Sequence, residues 1–313
     1  MGAGVVVVVG LVWLAARTQG NRIVGGEVAD IRDFPFLASL QRRQTGHSCV
    51  ANIVTYSWLV TAAHCVYSAL PSYPSEYSVL AGVTNLTHDG NMEQAQRGWP
   101  NLFVVHPLVR VGGTYDYDLA MIRLRSPLKE GPRVHTVPLP HDVMSLKVLY
   151  NENCTVAGWG NTEKVEARRN DRTLMKVDLQ LLDTEECAEK LHRRLRENTH
   201  ICTYTIDKDA CQGDSGAALI CHGVQVGVVS WGVGCASELP GVYARLDTQL
   251  PWMLQCRSAA PRRSQDGGAR RGHKAGLRRP RAPPPPPRAN RSPRFTSADV
   301  LKRASAAGAR FPR

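Results

Sequence analysis

From Ile23 to about Leu246, short apolar runs alternate with clusters of Gly, Pro, Asn and Ser. That is the spacing of many short strands joined by turns. The runs are Phe36–Gln41, Ser48–Val54, Tyr77–Gly82, Leu102–Val105, Leu119–Leu124, Thr155–Trp159, Met175–Leu182, Ala217–Cys221, Val224–Ser230 and Val242–Leu246. Within Met175–Leu182 the period is two, so Met175, Val177, Leu179 and Leu181 share one face. Helical signals are few. One helix is expected from about Thr184 to Leu195, capped by Asp183 or Thr184, and a short one near Asp247–Gln255. Many short strands and little helix predict an all-β fold, a sandwich or barrels.

The two ends of the chain break this pattern. Val5–Ala16 is an apolar run of the length of a signal-peptide core, followed by small residues that allow cleavage after Ala16 or Gly20. No Lys or Arg precedes it, and it is shorter than the ~20 residues a bilayer span needs. After Cys256, Arg, Pro, Gly, Ala and Ser dominate, with five consecutive prolines at Pro283–Pro287. Such a segment buries too little apolar surface to offset its ordering entropy, so 257–313 reads as a disordered tail. The charge is equally uneven. The net +12 contains 16 Lys+Arg against 2 Asp+Glu from Arg257 onward, leaving 23 against 25 of the totals 39 and 27 for the rest. The body is near neutral, and the tail offers a non-specific surface for polyanions, with no specific nucleic-acid motif.

Nine cysteines lie between Cys49 and Cys256, with no CxxC or His-Cys metal spacing. Their scatter fits disulfides and an oxidising compartment. Three segments then stand out: Thr61-Ala62-Ala63-His64-Cys65, Asp118-Leu119-Ala120-Met121-Ile122 and Gly213-Asp214-Ser215-Gly216. A base, a carboxylate and a hydroxyl in that order, about 55 and then about 100 residues apart, suit nucleophilic catalysis, because a serine hydroxyl needs an adjacent base at neutral pH. An α/β-hydrolase is excluded, since its order is Ser…Asp…His and no Gly-x-Ser-x-Gly elbow is present.

Those segments, with Arg22-Ile23-Val24-Gly25-Gly26, Ala157-Gly158-Trp159-Gly160, Cys211-Gln212-Gly213-Asp214-Ser215-Gly216, Ser230-Trp231-Gly232 and Pro240-Gly241-Val242-Tyr243, make Ile23–Cys256 resemble the trypsin-like serine proteases of the chymotrypsin fold. The resemblance implies two six-stranded antiparallel β-barrels with a cleft between them, followed by a short C-terminal helix and the tail. It implies His64 as general base, Asp118 as its orienting carboxylate and Ser215 as nucleophile. Asp116 is the rival carboxylate; the Leu-Ala-x-Ile run after Asp118 favours the latter. The N–H groups of Gly213 and Ser215 are expected to form the oxyanion hole.

By the same resemblance Asp209, six residues before Ser215, forms the floor of the primary specificity pocket, where a carboxylate selects Arg or Lys. Gly232 and Gly241 keep the pocket open, Ser230, Trp231 and Gly232 present backbone to substrate, and Ala210 lacks a hydroxyl that would solvate an ammonium, which biases the pocket toward Arg. Cleavage of Arg22–Ile23 by a trypsin-like activator frees an amine for Asp214. The expected boundaries are 1–20 signal peptide, 21–22 (or 17–22) activation peptide, 23–256 protease domain and 257–313 tail. The implied disulfides are Cys49–Cys65, Cys154–Cys221, Cys187–Cys202 and Cys211–Cys235. Cys256 is left over, free or paired between chains.

Three features bear on the rest. Ala217 and Ala218 replace the Gly-Pro that usually follows Gly-Asp-Ser-Gly, and a glycine-only conformation at 217 would store ~1–3 kcal/mol of strain. That keeps a catalytically silent binding module in play beside the active enzyme. The acidic pair of the family's calcium loop is not evident between Gly82 and Glu93, so no metal or other cofactor is expected. Asn85 and Asn153 lie in glycosylation sequons. The expected partners are protein or peptide substrates with Arg or Lys before the cut, the activating protease and protein inhibitors, for a secreted monomer.

Overall fold

The computed structural model describes residues 25–67, 74–87, 94–111, 114–160, 172–235 and 237–259. Arg22, Ile23, the apolar run and the tail from residue 260 onward lie outside the described residues; 257–259, expected in the tail, are helical.

Two antiparallel sheets carry the fold. The first is built from β2 (Leu37–Arg42), β3 (Gly46–Thr55), β4 (Trp58–Thr61), β5 (Tyr77–Ala81), β6 (Gln96–Gly98), β7 (Pro100–Val105) and β8 (Ala120–Leu124), in the order β6-β5-β2-β3-β4-β8-β7. Its edge strands β6 and β7 are consecutive in the chain and separated only by Trp99, so the sheet curls back on itself. Pro100, which has no N–H to donate, sits at the first position of β7, where a strand tolerates it.

The second sheet contains β1 (Glu27–Val28), β9 (Asn153–Gly158), β10 (Met175–Leu182), β11 (His200–Thr203), β12 (Ala218–Cys221), β13 (Val224–Trp231) and β14 (Gly241–Arg245). Its order is β1-β10-β11-β14-β13-β12-β9, and β9 also pairs with β10. Six strands therefore close into a barrel, with β1 added at its edge. The architecture is the all-β one implied by the resemblance, with one closed barrel and one curled sheet.

All ten apolar runs became strands. In β10 the buried positions are Met175, Val177, Leu179 and Leu181, the face set by the period of two. The strands without a sequence signal are β1, β4, β6 and β11. Trp58–Thr61 and His200–Thr203 are buried throughout, so they show no alternation to read.

Helix α1 (Ala63–Tyr67) has five residues, too few to show a helical period. Helix α2 (Thr184–Leu191) starts at Asp183, whose side chain accepts from the N–H groups of Glu185 (2.8 Å) and Glu186 (3.2 Å). It ends four residues short of the expected Leu195, because His192 turns left-handed at φ 49°. A 3-10 turn at Asp247–Gln249 leads into α3 (Leu250–Ala259).

The core is two large apolar clusters and a small one around Cys187, Leu191, Cys202 and Val242, and neither large cluster belongs to one sheet alone. Val228, Ala244 and Met253 pack with the first sheet's Ala51, Leu59 and Ile122. Leu37 and Val50 pack with Trp159, Leu179 and Leu219. This interlocking fixes how one sheet meets the other, which is where the site lies.

Candidate active site

His64 is carried by α1, at the end of β4. Its backbone N–H donates to Asp118 Oδ1 at 2.9 Å, and its Nδ1 lies 2.7 Å from Asp118 Oδ2. Asp118 is completely buried, while the imidazole keeps about a quarter of its surface open to the cleft. A third group joins from the other sheet: the Ser230 hydroxyl, near the end of β13, donates to Asp118 Oδ2 at 2.6 Å. Three groups from both sheets thus converge on one buried carboxylate.

The choice between the two carboxylates comes from backbone handedness. Tyr115 (φ 53°) and Tyr117 (φ 54°) are both left-handed, which is uncommon for residues other than glycine and costs on the order of 1–3 kcal/mol each. Contacts offset that cost. Tyr117 stacks on His106 with ring centroids 4.6 Å apart, and Tyr115 meets His64 edge-on at 6.0 Å. The alternation turns Asp118 to His64. It leaves Asp116 buried 3.7 Å from His200 Nε2 and 3.9 Å from the Arg196 guanidinium.

Ser215 lies on the turn between Cys211 and β12. Its carbonyl accepts from Val50 N–H of β3 at 2.8 Å, so the first sheet holds the second sheet's serine. The next residue is also clamped: Gly216 donates to Val229 O at 2.8 Å and accepts from the Asn52 side chain at 2.8 Å. Gly216 has φ +86°, and a Cβ there would collide with Val50 O and Thr61 Oγ1, so only glycine fits. Gly213 is also left-handed (φ +101°), and its carbonyl lies 3.0 Å from His47 Nε2. Ala217 is not. It is absent from the positive-φ residues and packs its methyl fully buried in the second core cluster. The strain expected there does not arise, because the left-handed step falls at Gly216 instead.

A cavity of about 250 Å³ opens beside His64 and Ser215. It brings together all six of the expected pocket residues: Asp209, Ala210, Ser230, Trp231, Gly232 and Gly241. Asp209 is only 7 % exposed, and a Cβ on Gly241 would come within 3.0 Å of its carboxylate. Trp231 is fixed as a wall by its Nε1–H, which donates to Thr114 O at 3.2 Å, and by the Arg193 guanidinium over its ring at 5.6 Å. His200 Nε2 reaches the same carbonyl at 2.9 Å. Tyr115 and Gln212 also line the cavity; Gln212 falls inside the Cys211–Gly216 motif, whereas no sequence signal marks Tyr115.

Asp214 points away from this cavity. Its buried carboxylate accepts from Gly160 N–H (2.8 Å) and Cys211 N–H (3.0 Å), and no cation among the described residues pairs with it. Burial pushes its carboxyl up to about 6, against those two hydrogen bonds. Cys211 is in turn bonded to Cys235; the other disulfides are Cys49–Cys65, Cys154–Cys221 and Cys187–Cys202. Cys256 is free and sits on the buried face of α3, packed in the first core cluster, so a bridge between chains would require that helix to lift. Among the described residues, Cys49, His64 and Cys65 are the only close group of metal-ligand types, and both sulfurs are committed to a disulfide. No helix among the described residues is long and apolar enough to cross a membrane.

A carboxylate–imidazole pair and a serine at the meeting of two β-sheets, next to a pocket with a buried acid, define a class of protein. The family described as Trypsin matches residues 23–253, and the chain belongs to that family. It is 33% identical over 255 residues to Transmembrane protease serine 9 of Rattus norvegicus, covering 79% of this chain and 23% of that protein. It is 32% identical over 251 residues to the Suppressor of tumorigenicity 14 protein homolog of Bos taurus, covering 75% and 28%. It is 31% identical over 260 residues to Ovochymase-2 of Mus musculus, covering 75% and 41%. The chain thus spans less than half the length of each of these relatives.

Proposed function

We propose that this chain is a secreted serine endopeptidase that cuts peptide bonds after Arg, in preference to Lys, once it has itself been cut after Arg22. In this reading His64 takes the Ser215 proton and returns it to the leaving amine, while Asp118 holds the tautomer that makes this possible. The developing oxyanion is received by the N–H groups of Gly213 and Ser215, one such donor contributing roughly 2.7–4 kcal/mol in the transition state. The observation that carries the specificity is the position of Asp209, nearly buried in the cavity that His64 and Ser215 also line. A carboxylate there repays the desolvation of a guanidinium and leaves a neutral side chain without compensation.

Asp214 supports the activation step. A buried carboxyl held close to neutrality by desolvation, with backbone donors only, is a receptor for the ammonium that cleavage before Ile23 creates. Secretion rests on the Val5–Ala16 run and on four disulfides, which persist in oxidising compartments. Glycosylation at Asn153 is supported by its exposed place at the start of β9, whereas the Asn85 side chain donates to Thr173 Oγ1 at 2.9 Å and must leave that bond to be modified. Substrates are proteins or peptides with Arg or Lys before the cut. The tail adds affinity for polyanions.

The test is activation of the full chain at Arg22, followed by matched amide substrates with Arg, Lys or Phe before the scissile bond. Turnover in the order Arg, Lys, Phe, with Ser215 labelled by an organophosphate, is the expected result. Asp209→Ser should cost about 3 kcal/mol or more toward Arg, roughly a hundredfold in kcat/KM. Absence of both turnover and labelling sinks the enzyme reading. Preference for Phe sinks the role of Asp209 alone.

A further inference from the structure

A second cavity, of about 620 Å³, lies outside the cleft, between the Gln94–Trp99 run and the loop at 125–134. Its floor is apolar: Leu128 and Val134 are almost fully buried beneath it. Its walls are basic, with Arg97, Arg125, Lys129 and Arg133. Trp99 stands at the rim with 47 % of its surface exposed. Glu130 is the only carboxylate of the lining. It is engaged elsewhere, with His135 Nε2 at 3.4 Å and a hydrogen bond to the Tyr56 hydroxyl.

That charge is local. The chain up to Cys256 holds 23 basic and 25 acidic residues, yet here four cations gather around one occupied carboxylate. The groove is also held in shape. The Gln96 side-chain amide grips the Lys129 backbone twice, donating to its carbonyl and accepting from its N–H, both at 2.7 Å. Arg125 N–H donates to Trp99 O at 2.8 Å, and its Nε to Pro100 O at 3.3 Å. Arg97 is braced by Gln41 and Ser78, at 2.7 and 2.8 Å. A groove held by backbone ties loses little entropy when filled.

We propose that this groove docks an acidic peptide segment of a partner protein, with one apolar side chain on the Leu128–Val134 floor against Trp99 and carboxylates on the Arg and Lys walls. The chemistry fits the occupant at both levels. Trp and Arg are the residue types that dominate interface energetics, and a single-sign rim steers an oppositely charged segment and fixes its register. The chain's own tail is excluded as occupant, since its net charge has the same sign as the groove.

The experiment uses the full chain and a fluorescein-labelled peptide of alternating Glu and Asp around one central Phe, with binding read by fluorescence anisotropy. No turnover is needed, so failure here is separable from failure of the protease reading. Trp99→Ala and Lys129→Glu should each weaken binding about tenfold, Lys129→Arg should retain it, and salt should weaken it as the Debye length falls below about 8 Å. Turnover of a small Arg amide should stay the same in all three variants. Binding indifferent to both Trp99→Ala and Lys129→Glu would assign the affinity to the tail and overturn the proposal. Residue-dependent binding of a heparin oligosaccharide without binding of the peptide would overturn it as well, making the groove a glycan site.

Discussion

The Ser230 hydroxyl donates to Asp118 across the meeting of the two sheets, at 2.6 Å, on the same oxygen that lies 2.7 Å from His64 Nδ1. This bond ties the carboxylate beside His64 to the wall of the neighbouring cavity, which Ser230 also lines. A hydrogen bond to a charged group contributes about 1.5–3 kcal/mol. Ser230→Ala keeps the backbone that lines the cavity. It should therefore lower kcat roughly tenfold to a hundredfold with little change in KM. Steady-state kinetics on an Arg amide decide it; an unchanged kcat would make the bond purely structural.

Gly160 leaves the space that the Asp214 carboxylate fills. A Cβ at Gly160 would collide with that carboxylate, and so would one at Gly158. Gly160→Ala should displace Asp214, break the 2.8 Å bond from Gly160 N–H, and destabilise by about 1–3 kcal/mol. The measurements are Tm and the activity reached after cleavage at Arg22. A variant that activates normally would mean the carboxylate tolerates the shift.

Two buried groups pull the pH dependence of stability in opposite directions. Burial, helped by the Arg172 charge, holds the His47 imidazole down at about 4 from 6.5. The unfolded chain therefore binds a proton that the folded chain refuses, and stability is lost as pH falls from 6.5 toward 4. Asp214 is raised by burial from 3.8 to about 6, so the folded chain takes up a proton first, and stability is gained as pH falls from 6 toward 3.8. Each effect is on the order of 3 kcal/mol when complete. The uncleaved protein should then be nearly flat between pH 4 and 6 with respect to these groups. Asp214→Asn should lose about 3 kcal/mol over that range relative to it, in urea unfolding at several pH values.

Ala217→Gly restores the residue usual for the family, yet it should not help. The alanine is not left-handed and is fully buried. The glycine adds unfolded-state entropy and removes a packed methyl, for a loss of about 1 kcal/mol with kcat unchanged. A rise in kcat would restore the strain argument.

Cys256 should resist alkylation in the folded chain. Burial both shields its thiol and raises its pKa, and only the thiolate reacts. Iodoacetamide followed by mass spectrometry should label it in denaturant and leave it unlabelled in buffer. Labelling at equal rates would mean that α3 opens readily.

The sequence by itself determined the strands whose period or apolar content is local: Met175–Leu182 carries its own inside and outside, because side chains alternate along any strand. It also marked His64, Asp118, Ser215 and Asp209, because those segments resemble a known family. It did not mark β4 or β11, buried throughout, nor the handedness of Tyr115 and Tyr117 that separates Asp118 from Asp116. It also gave no sign that Val50 and Asn52 hold the Ser215–Gly216 turn from 160 or more residues away. These are long-range facts. A hydrogen bond between distant strands has no local composition to betray it, and a left-handed residue other than glycine persists only where surrounding packing over-determines it. Chemistry was therefore legible residue by residue, while the convergence that makes it a site was decided by the way the two sheets interlock.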